Sequence, residues 1–196
     1  MQLSSRDAYR LMISMVVPRP IAWVSTIGAD GSLNLAPFSF FNSVAGTPPT
    51  IMFSIGQRRG QLKDTLRNVQ ETGEFVVHMA DEALAEAMVQ TSGEWPYDVD
   101  EFEMANLETA PSIVVKPPRI AGAPIAMEAI VIQIVPVEGT ESTMVLGRVV
   151  YYHLREGLLR PEGLVDAALL RPVARLGGIE YATLGEVFSI ARPRVS

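Results

Sequence analysis

Ser25-Thr26-Ile27-Gly28-Ala29-Asp30-Gly31-Ser32-Leu33-Asn34-Leu35-Ala36-Pro37-Phe38-Ser39-Phe40-Phe41-Asn42 is the stretch whose reading decides the fold. It leaves an apolar run, turns at Asp30-Gly31 and returns as a second, interrupted run. Asp-Gly between two apolar runs signals a hairpin, and a type I′ turn with φ > 0 at both central residues is the expectation. Pro37 has no N–H to give to a ladder, so it belongs at an edge or a bulge. Beyond it, Ser39 and Asn42 stand among Phe38, Phe40 and Phe41. Aromatic bulk mixed with small polar groups suits a flat, mostly apolar ligand with a few hydrogen-bonding edges. The same pattern also suits a bulged edge strand whose Phe residues fill a core.

Upstream, Ser4 or Ser5 can cap a short helix over 6–15 that carries Tyr9, Met12 and Ile13, and Pro18-Arg19-Pro20 stops it. Residues 21–27 are mostly apolar and read as a strand covered on both faces. Downstream, the return strand runs out at 43–45, Gly46-Thr47-Pro48-Pro49 turns, and 50–55 is a strand rich in β-branched residues. The strongest helix signal follows: Asp64 or Thr65 as cap, Leu62, Leu66 and Val69 at helical spacing, and Gly73 past the end. Residues 74–79 read as a strand, and Asp81 opens a helix with Leu84, Ala87 and Met88 on one face. The segment 94–118 is irregular, with an acidic run at 98–103 among Trp95, Tyr97 and Phe102. Long apolar strands over 125–135 and 143–154 complete a hairpin order with few helices, which argues for an antiparallel barrel. No boundary or repeat divides 1–196, so one domain is expected.

Composition narrows the chemistry. A net charge of −6 disfavours nucleic acid and anionic membranes as partners. The absence of cysteine excludes disulfides, iron–sulfur ligation, thiol nucleophiles and Cys-based zinc sites. The two histidines, His78 and His153, lie far apart in sequence, so no His-rich metal centre is expected. No apolar run approaches the ~20 residues that span a bilayer, and the N-terminus carries no secretory pattern. The cytoplasm is the expected location.

The basic cluster Arg58, Arg59, Lys63 and Arg67 is the most informative local feature in an acidic chain. Lys63 and Arg67 are like charges four apart, and cations in a first helical turn oppose the macrodipole. An anion at the helix start reverses both penalties, since free N–H groups, Thr65 and the cations would all face it. Otherwise the cluster is a solvated face, partly balanced by Glu71. His153 on an apolar strand fits a structural or a cofactor-facing role. The acids Asp98, Asp100, Glu101 and Glu103 read as a solvated run rather than an acid–base pair. No nucleophile elbow surrounds Ser25 or Ser39, which argues against a hydrolase. The Gly177-Gly178 pair reads as a turn.

Together, the motif from Pro18 to Thr26, the block Asn34 to Asn42, Lys63-Asp64-Thr65 with Asn68, Asp100-Glu101-Phe102-Glu103, and Arg175-Leu176-Gly177-Gly178 with Tyr181 resemble the flavin reductase-like FMN-binding split barrels, in the flavoredoxin branch. The resemblance implies a mainly β, six-stranded antiparallel Greek-key split barrel, a homodimer, and FMN near the subunit interface. It implies Ser25 and Thr26 toward the ribityl–phosphate side, and Ser39, Phe40, Phe41 and Asn42 along the isoalloxazine. It places Lys63, Asp64 and Thr65 at the phosphate, with Arg58 as an addition. Where the family often has Cys, this chain has Ala129, so no protein thiol takes part. The expected activity is NADH- or NADPH-dependent reduction of the flavin with no essential catalytic side chain. The alternative is a flavoredoxin-type electron carrier serving a downstream redox protein.

Overall fold

The computed structural model describes residues 3–57 and 60–193. The chain runs α1 (Ser5–Met15), β1 (Arg19–Pro20), β2 (Ala22–Ile27), β3 (Leu33–Phe38), β4 (Phe41–Gly46), β5 (Pro49–Gly56), α2 (Asp64–Thr72) and β6 (Glu74–Met79). A 3-10 turn over Glu82–Leu84 leads into α3 (Ala85–Gln90), followed by α4 (Glu101–Met104), β7 (Thr109–Ala110) and β8 (Arg119–Ile120). The long strands β9 (Ile125–Pro136) and β10 (Ser142–Leu154) come next, then α5 (Ala167–Leu170), β11 (Ala174–Arg175) and β12 (Tyr181–Ala182).

The main sheet has seven strands rather than the expected six, in the order β3-β2-β6-β9-β10-β5-β4, with every neighbouring pair antiparallel. The extra strand arises at Ser39-Phe40, where the return strand breaks in two. β3 stays on β2 at one edge of the sheet, while β4 pairs with β5 at the other. Consecutive segments at opposite edges require the sheet to roll until its edges adjoin. At the seam the Phe40 carbonyl accepts the Ser54 N–H at 2.9 Å, and the Phe38 and Phe53 rings lie 5.4 Å apart. Aromatic packing, not a ladder, joins β3 to β5, which makes the barrel a split one.

The hairpin tip also differs from expectation. Gly31 has a positive φ of 89°, but Asp30 does not, so the turn is not type I′. The Gly31 N–H reaches the Gly28 carbonyl at 3.0 Å and the Gly28 N–H the Ser32 carbonyl at 2.8 Å, giving a wider loop with its glycine at the left-handed position. The Asp30 carboxylate holds that loop by accepting from the Ser32 N–H at 3.0 Å and hydroxyl at 2.6 Å, and from Tyr97 at 3.1 Å.

Alternation along β2 divides the core. Ala22 and Val24 face the barrel interior with Phe38, Phe53, Phe75, Val77, Ala129 and Val145. Ile21 and Trp23 belong to an outer cluster with Leu35, Met88, Phe102 and Ile120. Both faces of β2 are therefore covered, as its apolar run predicts. Gly147 lets β10 approach Phe75: a Cβ built on it would lie 2.2 Å from that buried ring's Cζ. Gly147→Ala should therefore destabilise the fold by about 1–3 kcal/mol through overpacking, read as a lower urea midpoint.

Ser4 caps α1 by accepting the Asp7 N–H at 3.2 Å, yet no residue of that helix is buried. Its far end is held by Arg19, whose guanidinium donates to the Ile13 and Val16 carbonyls at 2.5 and 2.8 Å.

Candidate functional site

A cavity of about 720 Å³ opens between β3, the start of α2 and the segment from Thr91 to Glu101. β3 contributes Asn34, Ala36 and Pro37; the start of α2 contributes Lys63, Asp64, Thr65 and Arg67. Trp95, Tyr97 and Glu101 form the opposite wall.

The helix start is cationic but capped differently from the sequence expectation. Lys63 is the N-cap rather than Asp64 or Thr65, and its side chain makes no cap hydrogen bond. The first turn thus opens on the cavity without a side-chain acceptor, the arrangement that receives anions at helix N-termini. Asp64 pairs with Arg67 at 3.2 Å, and the Arg67 guanidinium lies 4.3 Å from the Tyr97 ring centre. Glu71, expected to balance Arg67, instead accepts the Ala29 N–H at 3.4 Å. Lys63 Nζ sits 5.8 Å from the Phe38 ring, between helix and barrel seam. Arg58 and Arg59 lie outside the described residues.

Ser25 and Thr26 are fully buried and do not line the cavity. Ser25 donates to the Pro118 carbonyl at 2.6 Å. Thr26 Oγ1 accepts from Asn34 at 3.0 Å and from Asn68 at 3.1 Å, and the same Asn34 amide reaches Thr65 Oγ1 at 2.9 Å. This buried network stands behind Thr65 and fixes its hydroxyl.

The other sequence candidates lie along the seam. Ser39 lines a smaller cavity that shares Pro37 and Ser92 with the large one. Phe40 is exposed, with the Arg19 guanidinium 5.9 Å from its ring centre. Phe41 packs partly buried against the barrel core, and Asn42 is exposed, its side chain accepting the Ser43 N–H at 2.9 Å. The structure thus places Lys63, Asp64 and Thr65 in one corner, with Ser39 in the adjoining cavity.

The acidic run is not uniformly solvated. Glu101 is buried on the cavity wall, accepting the Leu35 N–H at 3.0 Å, and Phe102 enters the outer core. Burial pushes the Glu101 carboxyl up to about 7, against the hydrogen bond from Leu35. Only the helix-like spacing of Glu101 and Phe102 behind a capping Asp100 could have signalled this in the sequence. Trp23 carries the wall from behind: its indole N–H donates to Thr91 Oγ1 at 2.9 Å.

Both histidines serve the framework. His78 is fully buried, accepting the Ile120 N–H at Nε2 at 3.0 Å, which leaves Nδ1 to donate to the Trp23 carbonyl at 2.9 Å. Burial lowers it to about 4, so the ring is neutral. His153 contacts Glu128 at 2.6 Å.

Among the described residues no helix is long and apolar enough to cross a membrane. Residues 14–170 match the flavin reductase like domain family. The fold superposes on nitrilotriacetate monooxygenase component B from Bacillus cereus with a TM-score of 0.93, at 38% identity over 96% of this chain and 95% of that one. It superposes on the 2-nitrobenzoate 2-nitroreductase of Pseudomonas fluorescens with a TM-score of 0.87, at 34% identity over 97% and 93% of the two chains. Flavoredoxin of Desulfovibrio vulgaris (Miyazaki F) shares the fold, with a TM-score of 0.78 at 23% identity over 90% and 92%. By its matched domain and its fold, this chain belongs to the flavin reductase-like split-barrel family.

Proposed function

We propose that this chain is an FMN-binding oxidoreductase that takes hydride from NADH or NADPH and passes electrons onward, working as a homodimer in the cytoplasm. One observation carries the reading: a cavity of about 720 Å³ is bounded by a cationic helix start without a side-chain cap, by Pro37 where the seam begins, and by the aromatic side chains of Trp95 and Tyr97. FMN has the matching ends, a phosphate and a flat ring, and the volume lies in the range of cofactor sites. Lys63, Thr65 and the first-turn N–H groups of α2 would hold the phosphate, with Arg58 adding a cation. Asp64 would keep Arg67 aligned. Ser39, Phe40, Phe41 and Asn42 would border the ring, and Ser25 and Thr26 would act from behind by fixing the strand and the Thr65 hydroxyl. When bound, FMN supplies the hydride-accepting and electron-releasing chemistry; the chain supplies placement and polarity. The neighbours named as a monooxygenase component and a nitroreductase support an oxidoreductase over a structural barrel.

The visible spectrum of freshly purified protein, repeated after anaerobic addition of NADH, tests the reading. Flavin bands that bleach rapidly support it. A colourless protein that takes up no added FMN overturns it, and a bound flavin that NADH leaves oxidised moves the function to an electron carrier. Lys63→Ala should weaken FMN binding about 10- to 100-fold, the range for losing a hydrogen bond to a charged group, while leaving hydride transfer in the saturated protein within a few fold. Equal losses in both would contradict a phosphate role for Lys63.

A further inference from the structure

Beside the large cavity lies a second one of about 80 Å³, lined by Ser39, Arg175 and Tyr181 over an apolar floor of Ile21 and Met88. Pro37 and Ser92 border both cavities, so the two adjoin. The small sheet β1-β11-β12 builds its wall by register: Arg175 stands opposite Arg19 on one side and Tyr181 on the other. Like charges directly opposite each other across strands are destabilising. Arg19 bears the strain, lowered from its ordinary value by burial and then by Arg175.

Neither guanidinium has a carboxylate partner among the described residues, whose ion pairs use Arg67, His153, Arg155, Arg160 and Arg171. The Arg19 donors go to the Ile13, Val16 and Leu176 carbonyls. Arg175 donates to Tyr181 Oη and to the Gly178 carbonyl, and its guanidinium lies 4.5 Å from the Tyr181 ring centre. Because Tyr181 Oη accepts from Arg175, its own proton is available to a further acceptor. The Ser39 hydroxyl likewise makes no side-chain hydrogen bond among the described residues. The Arg175 guanidinium and two hydroxyl donors therefore face the small cavity, with Arg19 behind adding to its positive charge and no carboxylate among the lining residues, on a space that holds a carboxylate or one face of a phosphate.

We propose that Arg175, Tyr181 and Ser39 form an anion-binding annex to the cofactor cavity, taking the carboxylate or phosphate of the small molecule that exchanges electrons at the site. The annex rests on the flavin reading above for its purpose, but not for its binding chemistry. The guanidinium fixes the charged end, and the shared border at Pro37 and Ser92 directs the remainder of the molecule into the large cavity.

The test is titration of FMN-loaded protein with sodium benzoate, benzamide, NAD+ and NADP+, by calorimetry, for the parent protein, Arg175→Gln and Tyr181→Phe. Arg175→Gln should weaken at least one anionic probe about 10- to 100-fold, with benzamide and FMN affinities unchanged. Tyr181→Phe keeps the ring and should weaken the same probe several-fold, which guards against a local collapse in the arginine variant. Loss confined to benzoate identifies a carboxylate substrate; loss confined to NADP+ identifies the reductant's extra phosphate. Equal binding of benzoate and of both nucleotides by the parent and Arg175→Gln proteins overturns the annex. If the parent protein takes up no FMN, the flavin reading fails separately. The same titration without FMN then decides the annex, with an Arg175-dependent loss of benzoate or NADP+ affinity sustaining it.

Discussion

Replacing Glu128 with alanine is expected to lower the free energy of unfolding by about 3–5 kcal/mol, a large share of the total for a chain of this size. The carboxylate is fully buried on β9. It accepts the N–H groups of Ile113 at 2.7 Å, Val114 at 2.6 Å and Val115 at 3.1 Å, as well as contacting His153 on β10 at 2.6 Å. Burial alone would raise its pKa, but His153 and the three N–H groups outweigh that and hold it below the ordinary value. Alanine leaves three backbone donors and an imidazole without their acceptor. Glu128→Gln retains an acceptor oxygen, so urea denaturation should place it between the parent and the alanine variant. A loss below about 1 kcal/mol for alanine would show that water replaces the carboxylate freely.

The second large effect concerns pH and involves two buried groups of opposite sign. Glu101 has its folded value raised to about 7 from 4.5, so it favours the folded state below pH 4.5 and that contribution fades as pH rises toward 7. His78 has its folded value lowered to about 4 from 6.5, so its contribution is complete above pH 6.5 and fades as pH falls toward 4. Each shift corresponds to about 3 kcal/mol. Between pH 4.5 and 6.5 the two contributions oppose each other and nearly cancel. Glu101→Gln keeps an acceptor for the Leu35 N–H while removing one of the two titrations. Its stability relative to the parent should grow by about 3 kcal/mol between pH 4.5 and 7, measured as urea midpoints at a series of pH values. A relative stability independent of pH would mean that Glu101 is solvated and ionised throughout.

Much of the fold was legible because periodicity and punctuation coincide. The apolar runs at 21–27 and 74–79 and the paired long strands each carry their own turn residues, and the observed β2, β6, β9 and β10 fall on them. The break at Ser39-Phe40 was not legible as a change of sheet edge. A proline and two small polar residues look the same whether a strand bulges or crosses a seam, and long-range closure decides. The cationic helix start was readable from charge spacing, but its cap was not, since Lys63 is a poor capping residue and an extended backbone there is set by the loop before it. Glu101 and Glu128 show the remaining limit. Both are acids in stretches that read as surface or as strand filler, and only tertiary N–H donors from Leu35 and from the segment Ile113-Val114-Val115 reveal them.

The split in the barrel gives the molecule two lips, β3 and β4, that are neighbours in the chain but lie at opposite ends of the strand order. Each lip is paired on one side only, whereas β6 and β9 are paired on both. A ligand lying along residues 36–42, as proposed for the flavin ring, would touch both lips at once and act as a clasp. Its release and the breathing of the seam then become one event. Amide protons of β3 and β4 should then open by local breathing in the free protein and lose that route when the clasp is closed, trading with solvent more slowly.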